Sequence, residues 1–247
     1  MIPIIIVSHK RANNVLTINA IDKCIICVPK SQEREYKEYN SNNEILVHPD
    51  EIIGLSPKRQ WVLDKVGDCF QCDDDITGVH RIYLKDYKEK NLILSKEEAF
   101  DLIQDFYEIA KEVGVHLFGF NRSTNPLIYS GNKPYIMNKY ICGGGLGLIK
   151  SDKLFFPNYP HFVGEDYFIN ALNAYHHRFS LIDARFAFHY SKTEAGAGGC
   201  ADYRTTEKRK ETYFFLKQKF GDAIQPKNKT TIKPTINQFE KTLKIPY

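Results

Sequence analysis

The stretch GDCFQCDDDITGV, residues 67–79, places three consecutive carboxylates, Asp73, Asp74 and Asp75, directly after a short apolar run. These side chains repel one another and are costly to remove from water, so a bound cation would explain why a short strand ends in them. Alternate residues of an extended segment point the same way, so Asp73 and Asp75 face one ligand while Asp74 faces the other side. The pattern predicts a metal site at a strand end. A solvated acidic turn or a helix N-cap is the alternative.

The chemistry of these oxygen ligands suits Mg²⁺ or Mn²⁺. Hard divalent cations bind a few carboxylates together with phosphate oxygens of a substrate, rather than a cage made only of protein groups. The expected substrate is therefore a nucleotide diphosphate.

The segment before the acidic run, LSPKRQWVLDKV at residues 55–66, has the pattern of a helix. Ser56 is the expected N-cap and Pro57 the first helical residue. The apolar residues spaced for one buried face are Trp61, Val62 and Val66. Lys58 and Arg59 fall in the first turn, where basic groups beside backbone N–H donors suit phosphate or a nucleotide base. The alternative is a pair of solvated charges on an exposed turn, which is favoured for Lys58.

Three short apolar runs in the first half of the chain predict buried parallel strands: IPIIIVSHK from residue 2, KCIICVP from residue 23 and EILVHP from residue 44. Helical patterns alternate with them, and the clearest covers residues 95–114, with Ser95 capping, Glu98 at the third position and Gly114 closing the end. This alternation predicts an α/β fold with a mostly parallel sheet flanked by helices. Its ligand site lies at the carboxyl ends of the strands, where both the SHKRANN turn (8–14) and the acidic run fall.

Composition narrows the class of protein. The chain has 247 residues, of which 43% are hydrophobic and 13% aromatic, enough for one large core with or without an appendage. No stretch approaches the roughly 20 apolar residues that cross a bilayer, and MIPIIIV is too short and wrongly flanked for a signal peptide. We therefore expect no membrane partner and a cytoplasmic location. The sequence says nothing about oligomeric state.

Six cysteines include two pairs with CxxC spacing, Cys24 with Cys27 and Cys69 with Cys72. Both pairs fall within apolar strand-like runs, so each pair places its thiols on opposite faces of a strand. Buried thiols are the favoured interpretation, zinc binding is the alternative, and disulfides are not expected in a reducing compartment.

Positive charge is concentrated in the last part of the chain. Residues 204–247 carry eleven Lys and Arg against four Asp and Glu, whereas residues 1–203 carry 23 against 26. A basic terminal segment suits a polyanion such as DNA, although solvated lysines would look the same. We treat residues 206–247 as a basic C-terminal helix and tail that packs on or extends a domain covering residues 1–205.

Two glycine-rich segments and one acidic pair complete the candidate site. Gly143, Gly144 and Gly145 either let a ligand approach the backbone or form a sharp turn into a strand. The segment containing Gly196, Gly198 and Gly199 precedes Arg204, which could reach a phosphate, and a mobile lid is expected there. Glu165 and Asp166 begin a helix, where acids are favourable whatever their function.

In chain order, KRQW (58–61), DDD (73–75), ED (165–166), His189 and GGCADYRT (198–205) resemble the motifs of glycosyltransferases with the GT-A fold. More narrowly, the series is similar to the TET-associated glycosyltransferase family, largely phage-encoded enzymes implicated in decorating hydroxymethylated pyrimidines in DNA. The resemblance extends from about residue 2 to residue 205, and GGCADYRT is its most specific element.

The resemblance implies a role for each matching position. Asp73, Asp75 and His189 would hold one Mn²⁺ or Mg²⁺ that bridges the diphosphate of a nucleotide sugar, most plainly a UDP-linked one. The late histidine carries this role only through its place in the series, because a histidine between aromatic residues is more often structural. The residues expected to bind the nucleotide sugar are Ser8, Arg11, Lys58, Arg59, Asp74, Gly144, Gly199 and Arg204.

The same resemblance implies that Asp166 is the general base, supported by Glu165, and that the reaction inverts the anomeric carbon. The expected acceptor is the hydroxymethyl group of 5-hydroxymethylcytosine or 5-hydroxymethyluracil in DNA. A polysaccharide or protein acceptor is an alternative within the same chemistry. A non-catalytic module that binds nucleotide sugars or nucleic acids is an alternative from another class, and a metal-dependent nuclease is a weaker one.

Overall fold

The first three apolar runs form parallel strands, as their sequence predicts. In the computed structural model, which describes residues 1–84, 92–191, 203–227 and 239–245, they are β1 (Ile4–Val7), β2 (Cys24–Pro29) and β3 (Glu44–His48). The run that ends in the acidic residues is β4 (Cys69–Asp73), and it pairs in parallel with the free edge of β1. The carboxyl ends of β1 and β4 therefore meet at one edge of the sheet.

Five further strands complete the main sheet within the described residues: β5 (Ile76–Arg81), β6 (Leu117–Asn121), β7 (Tyr135–Met137), β8 (Gly145–Leu148) and β9 (Leu181–Tyr190). The strand order is β3-β2-β1-β4-β8-β6-β9-β5, with β7 also paired to β9. Strands β1 to β4, β6 and β9 run in one direction, and β5, β7 and β8 run against them. The predicted α/β fold with a mostly parallel sheet is confirmed.

Strand β8 brings the glycine segment to the site. It lies antiparallel between β4 and β6, and Gly145 at its start is opposite Cys72 near the end of β4. The glycines that precede β8 therefore lie beside the carboxyl end of the acidic strand.

Helices cover both faces of the sheet. They are α1 (Glu33–Tyr39), α2 (Leu55–Val66), α3 (Lys96–Val113), α4 (Glu165–His176) and α5 (Thr206–Phe220). Buried residues of α1 and α3, such as Tyr36 and Phe106, belong to one apolar core. Buried residues of α2, α4 and α5, such as Val62, Phe168 and Leu216, belong to the core on the other face. None of the helices in the described ranges is long and apolar enough to cross a membrane.

The ends of the helices confirm the caps predicted for α3 and correct the N-cap predicted for α2. Helix α3 has the predicted capping box between Ser95 and Glu98, and Gly114 closes it with a φ of 77°. Helix α2 begins one residue before Ser56, so the predicted N-cap is wrong. Gly54, with a φ of 90°, occupies that position, and the Ser56 hydroxyl donates instead to the carbonyl of Pro157 at 2.6 Å.

The CxxC cysteines are buried thiols on opposite faces of their strands. Cys24 and Cys72 lie in one core, and Cys27 and Cys69 lie in the other. Burial raises the pKa of the Cys27 and Cys69 thiols to about 12, which disfavours the thiolate that zinc would require.

The C-terminal segment packs on the body of the protein. Helix α5 buries Thr212 and Leu216, and it leads to a small antiparallel pair, β10 (Ile224–Pro226) and β11 (Lys241–Leu243). The hydroxyl of Tyr167 donates to the carbonyl of Lys241 at 3.0 Å, which holds β11 beside the start of α4. The division of the chain at residue 205 stays a prediction.

Candidate functional site

A cavity of about 1020 Å³ lies at the carboxyl ends of β1 and β4. Its lining comes from segments that are far apart in sequence. These are the loop after β1, the segment between β3 and α2, the acidic turn, the glycine segment, the start of α4, the end of β9 and the start of α5. The volume is at the upper end of the range of small-molecule sites. The fold thus assembles the predicted motifs around one space.

The acidic turn follows directly from the end of β4 at Asp73. The hydroxyl of Thr17, a buried residue, donates to the carbonyl of Asp73 at 2.7 Å and accepts from the backbone N–H of Ile76 at 3.0 Å. Asp73 and Asp75 both line the cavity. Two carboxylates held by a rigid turn beside an open space are suited to a hard cation.

Asp74 does not point away from the site, as strict alternation predicted, because the strand has already ended. It is 4% exposed, and its carboxylate accepts from the Ser8 hydroxyl at 2.5 Å and from the Arg11 guanidinium at 2.9 Å. The hydroxyl of Tyr36, which sequence reasoning missed, contacts Ser8 at 2.7 Å and accepts from the Arg11 N–H at 3.0 Å. Asp74 therefore fixes the loop after β1 as one wall of the cavity.

Lys58 is buried rather than solvated, contrary to the interpretation favoured from sequence. It is 5% exposed, and its ammonium donates to the carbonyl of Ser8 at 2.7 Å. Lys58 lines the cavity and adds positive charge to the same wall.

Arg59 lies beneath the cavity instead of lining it, which corrects the prediction that it contacts the nucleotide sugar. It is fully buried. Its Nη2 donates to a carboxylate oxygen of Asp73 at 2.8 Å and to the carbonyl of Gly143 at 2.7 Å, and its Nε lies 3.8 Å from Glu165. One guanidinium thus connects the end of β4, the glycine segment and the start of α4.

Asp166 is oriented by a tyrosine that carries no recognisable sequence signal. The hydroxyl of Tyr140 donates to Oδ2 of Asp166, and the rings of Tyr140 and Tyr167 lie 5.0 Å apart. Asn170 ties the same segment to α4, because its side chain exchanges two hydrogen bonds of 2.8 Å with the backbone of Ile141. Asp166 lines the cavity in a fixed orientation, as a general base requires.

The carboxyl groups under the cavity are crowded. Burial raises the pKa of Asp73 from its ordinary 3.8 to about 7. The charge of Arg59 lowers this pKa but does not cancel the effect of burial, and the charges of Asp75, Asp74 and Glu165 raise it further. Burial also raises the pKa of Glu165, helped by the charge of Asp166 and opposed by Arg59. Burial raises the pKa of Asp74 as well. Negative charge exceeds what Arg59 and Arg11 neutralise, so a cation would be favourable here.

The donor set fits Mg²⁺ or Mn²⁺. Asp73 and Asp75 offer hard carboxylate oxygens, and the pKa of Asp73 is raised chiefly by burial, with the charges of Asp75, Asp74 and Glu165 adding to the shift. Across the described ranges, no three His, Cys, Asp or Glu side chains form a complete metal cluster. Apart from these described side chains, water or substrate phosphate oxygens would serve as ligands, as is usual for Mg²⁺.

His189 is not among the residues that line the cavity, and its metal role stays a prediction. Strand β9 alternates, so that Phe188 is buried and Tyr190 lines the cavity while His189 between them is exposed. Nδ1 of His189 lies 2.7 Å from the Thr77 hydroxyl, and its ring stacks on His80 at 5.3 Å.

Two of the remaining predicted residues line the cavity, and one lies outside the described ranges. Gly144 lines the cavity, and a Cβ there would lie 2.5 Å from the ring of Tyr190, so close packing requires glycine. Arg204 also lines the cavity, together with Arg209, which sequence reasoning did not single out. Gly199 lies outside the described residues.

A comparison with protein families agrees with this geometry. The model of a family described as TET-Associated Glycosyltransferase matches residues 2–142, more than half of the chain. The matched region contains Arg59 and the acidic turn and ends before α4. No curated protein gives a match.

The carboxylate cluster makes stability depend on pH in a defined direction. The pKa of Asp73 is about 7 in the folded chain against an ordinary 3.8, so between these values the folded chain holds a proton that the unfolded chain has lost. The free energy of unfolding should therefore fall as pH rises from about 4 to about 7, and Asp73→Asn should reduce that slope. Urea denaturation across this range measures it.

The matched control is Asp152→Asn, which removes a carboxylate with 83% of its side chain exposed. It should keep the wild-type slope. An unchanged slope in Asp73→Asn would show that Asp73 is not the crowded group.

Proposed function

The chain belongs to the TET-Associated Glycosyltransferase family, and from this premise we propose that it is a metal-dependent enzyme acting on modified DNA. It transfers a sugar from a nucleotide-diphosphate donor to the hydroxymethyl group of a modified pyrimidine. The observation that carries the proposal is the placement of two ligand-type carboxylates, Asp73 and Asp75, and an oriented acid, Asp166, on the walls of one cavity. A donor and an acceptor can meet between them.

On the donor side, Asp73 and Asp75 would hold Mn²⁺ or Mg²⁺. The bound cation supplies neutralisation of the negative charge that builds on the diphosphate leaving group. The loop of Ser8 to Arg11, fixed by Asp74, and the buried Lys58 form the wall against which the nucleotide lies. A UDP-linked sugar is the donor we favour.

On the acceptor side, Asp166 is the general base. The acceptor hydroxyl oxygen forms a bond to the anomeric carbon, the bond to the diphosphate oxygen breaks, and Asp166 takes the hydroxyl proton. Tyr140 holds Oδ2 of Asp166 in place, and Glu165 keeps the start of α4 over Arg59. Direct attack of this kind inverts the anomeric configuration.

A DNA acceptor is supported by charge. Arg204 and Arg209 line the cavity next to Asp166, and the region from residue 204 onward carries eleven basic against four acidic residues. Cations at this side of the base suit a phosphodiester backbone.

The metal role predicts that Asp75→Asn weakens Mn²⁺-dependent binding of UDP by about tenfold or more, since one charged ligand is lost. Calorimetric titration of UDP with and without Mn²⁺ measures this. Asp152→Asn, far from the cavity, should bind like the wild type. Equal Mn²⁺ dependence in Asp75→Asn and the wild type would remove Asp75 from the metal site.

The acceptor assay tests the proposed function itself. Oligonucleotides containing 5-hydroxymethylcytosine, 5-hydroxymethyluracil or unmodified pyrimidine are incubated with a panel of nucleotide sugars, and the digested nucleosides are weighed by mass spectrometry. Hydroxymethylated bases should gain one sugar and unmodified bases none, because only the former carry a nucleophilic hydroxyl outside the Watson–Crick edge. Asp166→Asn should lower turnover by about 10²-fold or more while donor binding persists.

Two results would contradict this account. Transfer to a glycan or protein, with none to any hydroxymethylated DNA, would refute the DNA acceptor and leave the glycosyltransferase chemistry intact. Wild-type turnover in Asp166→Asn at saturating acceptor would assign the base to another group.

A further inference from the structure

A second, smaller cavity of about 150 Å³ adjoins the large one at the start of α4. Glu165, Asp166, Tyr203, Arg204 and Arg209 line both cavities. A group bound in the small cavity therefore lies beside the proposed base. The additional wall comes from the C-terminal segment, through Glu240 and Lys241.

Lys241 is the unusual feature of this small cavity. Lys241 is 8% exposed, and its ammonium lies 4.8 Å from the centre of the Tyr167 ring. Within the described ranges this ammonium makes neither a hydrogen bond nor an ion pair, whereas its neighbour Glu240 pairs with Arg209 at 2.7 Å. A buried charge without an anion is costly, so the site is suited to receive one.

The start of α4 lies beside Lys241. A Cβ built on Gly164, the residue that caps α4, would lie 3.4 Å from the Lys241 ammonium. The backbone N–H groups there already donate to carboxylates, Gly164 to Glu165 at 3.2 Å and Tyr167 to Asp166 at 2.8 Å. What is still missing among the described residues is a negative group paired with the Lys241 ammonium.

The nearby carboxylates do not supply that group. Burial lowers the pKa of Lys241, while Asp166, Glu240 and Glu165 are close enough to oppose that effect. None of the three forms an ion pair with Lys241 in the part of the chain that the structure describes. Two further cations, Arg204 and Arg209, line the same cavity.

We infer that the small cavity is an acceptor subsite that binds a backbone phosphate of the nucleic acid, with Lys241 and Arg204 as its cationic ligands. This rests on the proposed function and deepens it. Three carboxylates, Glu165, Asp166 and Glu240, also line this cavity, so the case for phosphate over a neutral sugar is the Lys241 ammonium, which has no ion-pair partner among the described residues. Arg204 beside it can bind phosphate through paired N–H donors.

The test compares Lys241→Met with Lys244→Met. Methionine keeps the length and the apolar packing of the Lys241 stem and removes only the charge. Lys244 is exposed, lies three residues further on and does not line the cavity. Fluorescence anisotropy measures binding of a short single strand containing 5-hydroxymethylcytosine over a range of salt concentrations.

Lys241→Met should weaken binding and reduce the slope of log affinity against log salt by about 0.7, the value for one phosphate contact on a single strand. Lys244→Met should keep the wild-type slope. A methylphosphonate strand, which has no backbone charge, should bind wild type and Lys241→Met equally. Arg204→Gln, a change at an exposed residue, gives the same test should Lys241→Met fail to fold.

Unchanged affinity and slope in Lys241→Met overturn the subsite, as does a wild-type chain that binds no strand. A variant that keeps wild-type strand binding and shifts only the pH profile of turnover would assign Lys241 to Asp166 instead, and would equally overturn the phosphate site. UDP binding by the wild-type chain is measured separately. If the wild-type chain does not bind UDP, the proposed function is contradicted. If it binds UDP while Lys241→Met binds the strand as the wild type does, only the subsite is contradicted.

Discussion

The buried guanidinium of Arg59 is the interaction on which the rest of the site depends. It has no exposed surface, and it contacts the Asp73 carboxylate, the Gly143 carbonyl and, at longer range, Glu165. These groups come from β4, the segment before β8 and α4. Without a cation at this point, the Asp73 carboxylate at the cavity wall, the buried Glu165 carboxylate and the Gly143 carbonyl would face each other without a neutralising group. Arginine suits the position because its planar group donates in several directions at once.

The same arrangement keeps several carboxyl groups close together at the site, where a bound cation would be favourable. Burial raises the pKa of Asp73 to about 7 and also raises that of Glu165, and the charge of Arg59 opposes both shifts without cancelling them. A divalent cation and the basic side chains would relieve this crowding when substrates bind. On the acceptor side, Lys241 is buried without an ion-pair partner among the described residues, although Glu165, Asp166 and Glu240 line the same small cavity.

The sequence was informative wherever one local rule determined the outcome. Apolar runs predicted β1 to β4, and the capping box and Gly114 predicted the two ends of α3, because these signals need only neighbouring residues. It misled where a distant segment decided the outcome. Lys58 is buried because its ammonium donates to the carbonyl of Ser8, which is distant in sequence. Strand alternation ends at Asp73, so the side chain of Asp74 turns toward Arg11. Tyr140 and Lys241 belong to no motif, and they acquire their positions only when the glycine segment and the C-terminal strand pack against α4.

A double-mutant cycle on Arg59 and Asp73 tests the central claim most directly. The free energy of unfolding is measured by urea denaturation for the wild type, Arg59→Met, Asp73→Asn and the double variant. If Arg59 is retained to neutralise the carboxylates beneath the cavity, Arg59→Met should destabilise the wild type by at least about 1 kcal/mol more than it destabilises the Asp73→Asn variant. Equal losses in both backgrounds, within about 0.5 kcal/mol, would show that Arg59 acts independently of Asp73 and would contradict the account.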